Sequence, residues 1–245
     1  MTNVTASRWI FESAVHAAKR WQPDFFFIYL PHLDYAAQRS GPDSPEAQKA
    51  VAEADELFGV LAAGMADAYD VEPTWLIAGE YAITPATGVT YPNRVLRDAG
   101  LLAVRETDEG EILDIEHSKA FAMVDHQCSH VYIKDEADVQ KVVSLFEGME
   151  GIDEVLSGEG LSRYALDHPR NGQVVLVSSP ESWQAYYWWH DDTKAPPFAR
   201  KVDIHRKPGY DPVELFFDPV AKGIPLDASL VRGTHGAPGR AESQQ

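Results

Sequence analysis

Three short segments, far apart in the chain, contain side chains of types that bind metal ions. Asp34 follows the apolar run 25–30, Glu80 follows the apolar run 75–78, and His235 lies in a Gly-Thr-His-Gly sequence near the end. Open α/β sheets bind ligands at the carboxyl ends of their strands, so a strand that ends in a carboxylate predicts an oxygen ligand there. Together the fragments predict one metal site. Capping of a following helix is the alternative for either carboxylate taken alone.

The elements that must position these residues alternate in the manner of α/β proteins. The apolar and aromatic runs 24–30 and 73–78 both predict strands that are covered on two faces. Between them, a capping serine and a first-turn proline predict a long helix over 44–69. A strand, a helix and a parallel strand form a right-handed crossover unit, so we expect Asp34 and Glu80 at the same sheet edge.

The rest of the chain predicts further helices and a β-rich middle portion. Apolar residues at helical spacing predict helices over 7–22 and 136–147. Alternating and β-branched runs predict strands over 101–105, 111–115, 120–124, 130–134, 153–156 and 172–177. Beyond Trp183, aromatic residues and prolines predict a long irregular segment, and 236–245 predicts a disordered tail.

Composition limits the class of protein. With 245 residues, 44% of them hydrophobic, the chain is long enough for one large domain. A formal net charge of −17 opposes binding to a phosphodiester backbone, so no nucleic acid duplex is expected as a partner. The single cysteine, Cys128, excludes an internal disulfide framework and is compatible with a cytoplasmic protein. No stretch approaches the roughly 20 apolar residues of a membrane span, so no membrane partner is expected.

Three stretches of the sequence resemble one known family. They are 29–42, which contains Asp34, the strand end 76–81, and the segment Lys207-Pro208-Gly209-Tyr210-Asp211-Pro212 with the later Gly-Thr-His-Gly. Together they resemble the C-terminal half of the type I phosphodiesterase/nucleotide pyrophosphatase family, a branch of the alkaline phosphatase superfamily. The resemblance implies a three-layer α/β sheet with helices on both faces, in one domain over 1–235.

The resemblance also implies which residues hold metal. Members of this family use two divalent metals, usually zinc, to activate a threonine or serine nucleophile. Asp34 and His235 match two of their ligands. Glu80 and Tyr81 stand in place of an Asp-His pair, and Gln38 stands in place of a histidine. Because these exchanges replace imidazoles with harder oxygen donors, manganese or magnesium, or a single metal, becomes more plausible than a two-zinc site.

Two further groups of side chains are candidates for the site. His126, which follows Asp125 and precedes His130, could supply a substitute imidazole ligand; the alternative is a histidine bonded to backbone at a strand end. Arg206 and Lys207 form a basic patch in an acidic protein. This patch could bind the phosphate of a substrate, or it could be a solvated turn tied to nearby carboxylates.

The chain offers no recognisable nucleophile. In the resembled family the nucleophile and another aspartate ligand lie in an N-terminal half, before the helix that is predicted here over 7–22. We therefore expect a homo-oligomer, or a partner chain that supplies that half and covers an apolar sheet edge. The predicted function is metal-dependent hydrolysis of small phosphate mono- or diesters, with the chain inactive alone if that half is required. The alternative is a non-catalytic binding or assembly module that retains the fold.

Overall fold

The computed structural model describes residues 4–239 and divides the chain into two compact units, Met1–Ile83 and Thr84–Gln245. The first unit contains the helices α1 (Val4–Trp21), α2 (His32–Ser40) and α3 (Pro45–Ala66). The second unit contains the helices α4 (Pro92–Asp98) and α5 (Val139–Phe146). Its strands are β1 (Thr84–Pro85), β2 (Gly88–Thr90), β3 (Val104–Thr107), β4 (Gly110–Leu113), β5 (Ala120–Asp125), β6 (Cys128–Ile133), β7 (Ile152–Ser157), β8 (Val174–Ser178), β9 (Ser182–Gln184) and β10 (Gly233–Thr234).

The core of the first unit forms where α1 packs against α3. Both helices follow the predicted spacing, and the Ser44 hydroxyl caps α3 by accepting a hydrogen bond from the Ala47 backbone N–H at 3.1 Å. The predicted start of α3 is therefore confirmed. Its buried face meets that of α1 in a cluster of apolar side chains: Phe11, Ala18, Leu57, Leu61 and Met65.

Helix α2 occupies a stretch that the sequence predicts to be a loop. It begins directly after Pro31 and ends at Gly41, whose φ of 96° stops the helix. Asp34 therefore lies in the first turn of a helix rather than in a loop after a strand. Gln38 lies one turn later, so the two side chains share one face of α2.

The segments 24–30 and 73–78 have no regular secondary structure and do not belong to any β-ladder among the described residues, so the prediction of paired strands is wrong. Their burial also differs from the prediction, because Phe25 is 80%, Phe27 is 87% and Leu76 is 94% exposed. The intervening side chains of the first segment pack against the apolar core of this unit instead: Phe26, Ile28 and Leu30. The pattern of apolar residues along a segment can suggest a strand, but it does not show which other elements cover the two faces of that strand. The three-layer sheet stays a prediction.

The second unit is built around an antiparallel sheet with the strand order β5, β6, β8, β7. The strands β5 to β8 confirm the predicted β-rich portion, and β3 pairs antiparallel with β4 in the region where strands over 101–105 and 111–115 are predicted. The helix α5 buries Val142, Val143 and Phe146 in the main core of this unit. Because Asp125 of β5 pairs with Cys128 of β6, only His126 and Gln127 form the turn between these strands.

The later part of the chain returns to this sheet in irregular conformation. The aromatic run Tyr186–Trp189 is irregular, as predicted, and each of its side chains is at most 1% exposed. The strand β10 pairs antiparallel with β1, which fixes the chain just before His235. Of the predicted tail, residues 236–239 are irregular and 240–245 lie outside the described residues. The domain boundary at residue 235 stays a prediction. Within 4–239, no helix combines the length and apolarity needed to cross a bilayer.

Candidate functional site

The first unit holds Asp34 in a network of hydrogen bonds. The Gln38 side-chain amide donates from Nε2 to Asp34 Oδ1 over 2.6 Å. The Tyr81 hydroxyl is also hydrogen-bonded to the Asp34 carboxylate. Gln38 and Tyr81 stand where the resembled family has histidine ligands, and both now contact the aspartate directly. The carboxylate is therefore oriented by two neutral polar groups.

Glu80 lies close enough to this network to act on the same phenols as Asp34. Burial raises the pKa of Tyr29, and the negative charges of Asp34 and Glu80 raise it further. Burial likewise raises the pKa of Tyr81 well above its usual value, with added contributions from Asp34 and Glu80. Asp34 and Glu80 thus influence the pKa of the same two phenols. That the two carboxylates hold one metal stays a prediction.

His32 fixes the start of the helix that carries Asp34. Its Nδ1 lies 3.2 Å from the Ser7 hydroxyl of α1, and its Nε2 lies 2.9 Å from Glu53 Oε2 of α3. The hydrogen bond from His32 is the main cause of a lowered pKa at Glu53. Sequence reasoning missed this arrangement, because its members are 25 and 21 residues apart and no motif joins them.

In the second unit, two imidazoles lie against each other. The His126 and His235 ring centroids are 3.9 Å apart, and the Tyr210 ring stacks on His126 at 4.8 Å. His126 occupies the β5–β6 turn with a φ of 52°, a left-handed conformation that is costly for a residue with a Cβ. The neighbouring Gln127 backbone N–H donates to the His235 carbonyl at 2.9 Å. The turn thus holds both the ring and the backbone of the His235 segment.

Burial keeps the His126 imidazole neutral. The side chain is almost entirely buried, which lowers its pKa to about 3, and the neighbouring His235 lowers it further. Within the part of the chain that the structure describes, His126 Nδ1 is buried without a hydrogen-bond partner. A neutral imidazole with an unpaired nitrogen is the form that coordinates metal. His126 therefore has the protonation state that the sequence-based hypothesis requires.

The segment 207–212 brings Tyr210 to His126. Val124 of β5 donates its backbone N–H to the Pro208 carbonyl at 3.1 Å and accepts from the Tyr210 N–H at 3.0 Å. Gly209 has a φ of 118°, and a Cβ there would lie 1.8 Å from the Val124 carbonyl oxygen. Only glycine permits this approach. The glycine of the motif thus has a structural role that places Tyr210.

Lys207 is not available to an exposed anion. Its side chain is 1% exposed, and its ammonium lies 2.8 Å from Asp211 and 2.6 Å from Glu214. Burial raises the pKa of the Asp211 carboxyl, and the negative charge of Glu214 adds to the rise, whereas the Lys207 ammonium opposes it. This pairing argues against the phosphate-binding hypothesis for Lys207. Arg206 has a 69% exposed side chain and lies 3.4 Å from Asp203, so its charge remains accessible to solvent.

The Asp34 network of the first unit and the His126–His235 pair of the second unit can each be compared with the ligands that a divalent metal requires. Among residues 4–239, no three side chains of His, Cys, Asp or Glu converge in a way that could hold an ion. Several buried polar side-chain atoms in the same range do have no hydrogen-bond partner, and Gln38 Oε1 and His126 Nδ1 are among them. Because an amide oxygen and an imidazole nitrogen are both metal-binding atoms, Gln38 fits a cation bound within the first unit together with water and carboxylates, and His126 fits a cation bound within the second unit.

The predicted site residues therefore fall into two sets. The first unit brings together Asp34, Gln38, Glu80 and Tyr81, and the second brings together His126 and His235. Cys128 lies next to the His126 turn, but burial raises the pKa of its thiol to about 11, so it is a poor nucleophile at neutral pH.

Solved structures with similar folds include those of two proteins. Phosphonoacetate hydrolase from Sinorhizobium meliloti, in complex with phosphonoformate, is 18% identical over 76% of this chain and 44% of its own, with a TM-score of 0.50. Murine ectonucleotide pyrophosphatase/phosphodiesterase 5 is 16% identical over 99% of this chain and 56% of its own, with a TM-score of 0.50. An inactive form of the murine protein in complex with AMP is 17% identical over 96% and 54%, also with a TM-score of 0.50. The chain spans about half the length of these proteins.

A search of curated protein sequences gave no match. The family model of type I phosphodiesterase / nucleotide pyrophosphatase matches residues 2–211. This stretch includes the Asp34 network and the segment that contains Tyr210, and it ends before His235. Since the match covers most of the sequence, the chain belongs to the type I phosphodiesterase/nucleotide pyrophosphatase family.

Proposed function

We propose that this chain is the metal-binding part of a cytoplasmic, metal-dependent hydrolase of phosphate mono- or diesters. One observation carries the proposal: within the stretch that matches the family, Asp34 is hydrogen-bonded to Tyr81, and Asp34 and Glu80 both raise the pKa of Tyr29 and Tyr81. The ligands in the similar structures, phosphonoformate and AMP, support a small phosphorylated substrate.

In the first unit Asp34 and Glu80 would hold a divalent cation, with Gln38 and Tyr81 as additional oxygen donors. In the second unit His235 would serve as an imidazole ligand, supported by the neutral His126. Zinc, manganese and magnesium are the candidate metals. When bound, such a cation neutralises charge on a phosphoryl group and lowers the pKa of an attacking oxygen.

The residues of the chain have separate tasks in this proposal. The Gln38 amide and the Tyr81 hydroxyl orient the Asp34 carboxylate. Arg206 is proposed to attract the phosphate, because its side chain is largely exposed, whereas the charge of Lys207 is used by two buried carboxylates. We assign no nucleophile to the chain. The activity is proposed for the chain with a homo-oligomeric or other partner that supplies one.

Metal binding is the first test of this proposal. Elemental analysis and calorimetric titration with zinc and manganese should show specific binding by the purified chain. Asp34→Ala should weaken binding by at least about tenfold, or about 1.4 kcal/mol, because it removes a charged ligand. Asp43→Ala is the matched control, since Asp43 is exposed on the loop before α3. Equal affinities in the two variants would contradict the role of Asp34. His235→Ala tests the second unit in the same way.

Hydrolysis of bis(p-nitrophenyl) phosphate and p-nitrophenyl phosphate is the second test. A metal-dependent activity that Asp34→Ala abolishes and Asp43→Ala retains would support the enzyme. Absence of activity in the chain, combined with binding to a partner that Asp34→Ala leaves unchanged, would support the non-catalytic module instead.

A further inference from the structure

In the Gln38 side-chain amide, the nitrogen has a hydrogen-bond partner among the described residues and the oxygen has none. The residue is 0% exposed, and its Nε2 donates to Asp34 Oδ1 at 2.6 Å. Its Oε1 is buried, and the described residues provide it with no hydrogen-bond partner. A buried carbonyl oxygen without a hydrogen-bond partner costs roughly 1–3 kcal/mol of stability. The Nε2 atom therefore stabilises this orientation of the amide, whereas the Oε1 atom destabilises it.

Rotation of the terminal amide by half a turn exchanges the two atoms. Oε1 would then face Asp34 Oδ1, at about the distance that now separates Nε2 from that oxygen. Two oxygens that close repel each other unless a cation lies between them. The nitrogen and oxygen positions of such an amide follow from its hydrogen-bond partners, so a bound cation reverses which orientation is stable.

Three further groups that interact electrostatically in the Asp34 network carry oxygen atoms. They are the Glu80 carboxylate and the phenols of Tyr29 and Tyr81. His32 is close in sequence, but Nδ1 and Nε2 of its ring lie within hydrogen-bond distance of Ser7 and Glu53. A cation at this position would therefore meet carboxylate, amide and phenol oxygens. Hard divalent ions such as Mg²⁺ bind through one or two carboxylates and retain several waters, which fits so small a set of charged ligands.

We propose that the Gln38 amide makes the Asp34 cluster of the first unit a site for a hard divalent cation, Mg²⁺ or Mn²⁺, by turning Oε1 toward the bound ion. The proposal rests on the proposed role of Asp34 and Glu80 as metal ligands and adds the class of metal that they select. It assigns Gln38 a state without an ion, in which Nε2 bonds Asp34, and a state with an ion, in which Oε1 is a ligand.

Titration of the 245-residue chain with Mn²⁺ and with Zn²⁺ tests the proposal. Zinc outranks manganese at most sites with nitrogen or oxygen ligands, so the informative quantity is the ratio of the two dissociation constants in each variant. Gln38→His replaces the amide oxygen with an imidazole and should shift this ratio toward zinc by at least about tenfold. Gln38→Leu should weaken Mn²⁺ binding by at least about tenfold, whereas Gln38→Glu should retain or strengthen it.

Gln48→Leu is the matched control, because Gln48 lies on an exposed part of α3 and its amide reaches only the Asp43 backbone carbonyl, at 3.5 Å. Thermal melting of each variant shows that it folds, and Gln38→Glu keeps the test valid if Gln38→Leu does not. An unchanged metal ratio in Gln38→His, or Mn²⁺ binding that Gln38→Leu leaves intact, would overturn the proposal. So would a wild-type chain that does not bind Mn²⁺.

These outcomes are separate from those for the proposed function. Mn²⁺ binding that depends on Gln38, in a chain that hydrolyses no phosphate ester in any assembly, would retain the cation site and reject the hydrolase. A zinc-dependent hydrolysis that His235→Ala abolishes and Gln38→Leu leaves unchanged would retain the hydrolase and reject the cation site.

Discussion

At the scale of single residues, the partner of a charged side chain decides what that side chain can do. Arg206 and Lys207 are neighbours with the same charge, yet one is 69% exposed and the other is buried between two acids. Asp34 is a carboxylate that the sequence predicts to be a metal ligand, and this role stays a prediction. In the folded chain, the Asp34 carboxylate accepts hydrogen bonds from its neighbours Gln38 and Tyr81.

Replacement of Lys207 by methionine should destabilise the fold by about 3–5 kcal/mol, since it leaves Asp211 and Glu214 buried without their counter-ion. Urea unfolding measures this change. Arg206→Met is the control and should alter stability by no more than about 0.5 kcal/mol, because its side chain is largely exposed. A stable Lys207→Met variant that has lost affinity for phosphate would restore the original hypothesis that Lys207 binds the anion.

Cys128 should react slowly with alkylating reagents in the folded chain. Burial raises its pKa from 9.0 to about 11, and the thiolate is the reactive form. At pH 8, which is below both pKa values, the thiolate fraction falls about tenfold for each unit of pKa, so the folded chain has about a hundredfold less thiolate than the unfolded chain. Iodoacetamide labelling at pH 8, compared with the chain unfolded in guanidinium, measures the ratio. Equal rates would show that the thiol is exposed.

At the scale of elements, the β5–β6 turn and the segment 207–212 form one structure around His235. The turn is short and strained at His126, and the segment is fixed by backbone bonds to Val124 and by the buried Lys207 ion pairs. Neither is a regular helix or strand. Each is defined by the contacts that it makes with the end of β5.

Gly209→Ala should separate these two elements. The new Cβ would lie 1.8 Å from the Val124 carbonyl oxygen at a φ of 118°, so the segment must move away from β5. We expect a loss of at least about 2 kcal/mol in unfolding free energy, measured by urea titration. If His235 binds metal as proposed, its affinity should fall as well.

Gly59→Ala is the control for that substitution. Gly59 lies in α3, and a Cβ added there would meet no other atom of the described residues within 4 Å, apart from its own helix backbone and chain neighbours. Alanine should therefore raise the stability of the helix by about 0.5–1 kcal/mol. A Gly209→Ala chain as stable as the wild type would show that the close approach to Val124 is not required.

At the scale of the whole molecule, apolar exposure is concentrated in the first unit. Most of the large exposed apolar side chains among the described residues belong to it, including Trp9, Trp21, Phe25, Phe27, Leu76 and Ile77. Its segments 24–30 and 73–78 also make no backbone ladder within the described range. Backbone outside any ladder, with exposed apolar side chains, favours association with another polypeptide.

We therefore expect the purified chain to self-associate in a concentration-dependent manner, as measured by sedimentation velocity. Phe27→Asp should reduce association, because it places a charge on the exposed face of the segment 24–30. Val220→Asp is the control, since Val220 is 90% exposed in the second unit. A monodisperse monomer at all concentrations, or an equal effect of both variants, would contradict this expectation.

The sequence by itself determined the elements whose evidence is local. Apolar residues three and four positions apart define α1 and α3, and the Ser44 cap marks the start of α3. Alternating residues and tight turns define the strands β5 to β8. The family was recognisable from the residues around Asp34, Glu80 and Tyr210, and the family model matches residues 2–211.

Only the tertiary structure decided which groups meet across long separations. The sequence could not show that Lys207 faces Glu214, or that His32 joins Ser7 to Glu53. It also could not show that apolar side chains of the segments 24–30 and 73–78 are exposed to solvent. The pattern of apolar residues depends only on the segment itself, whereas exposure depends on what packs against it. The physical reason is common to these cases. Burial and pairing depend on atoms brought together by folding, whereas helix and strand propensities depend on residues a few positions apart.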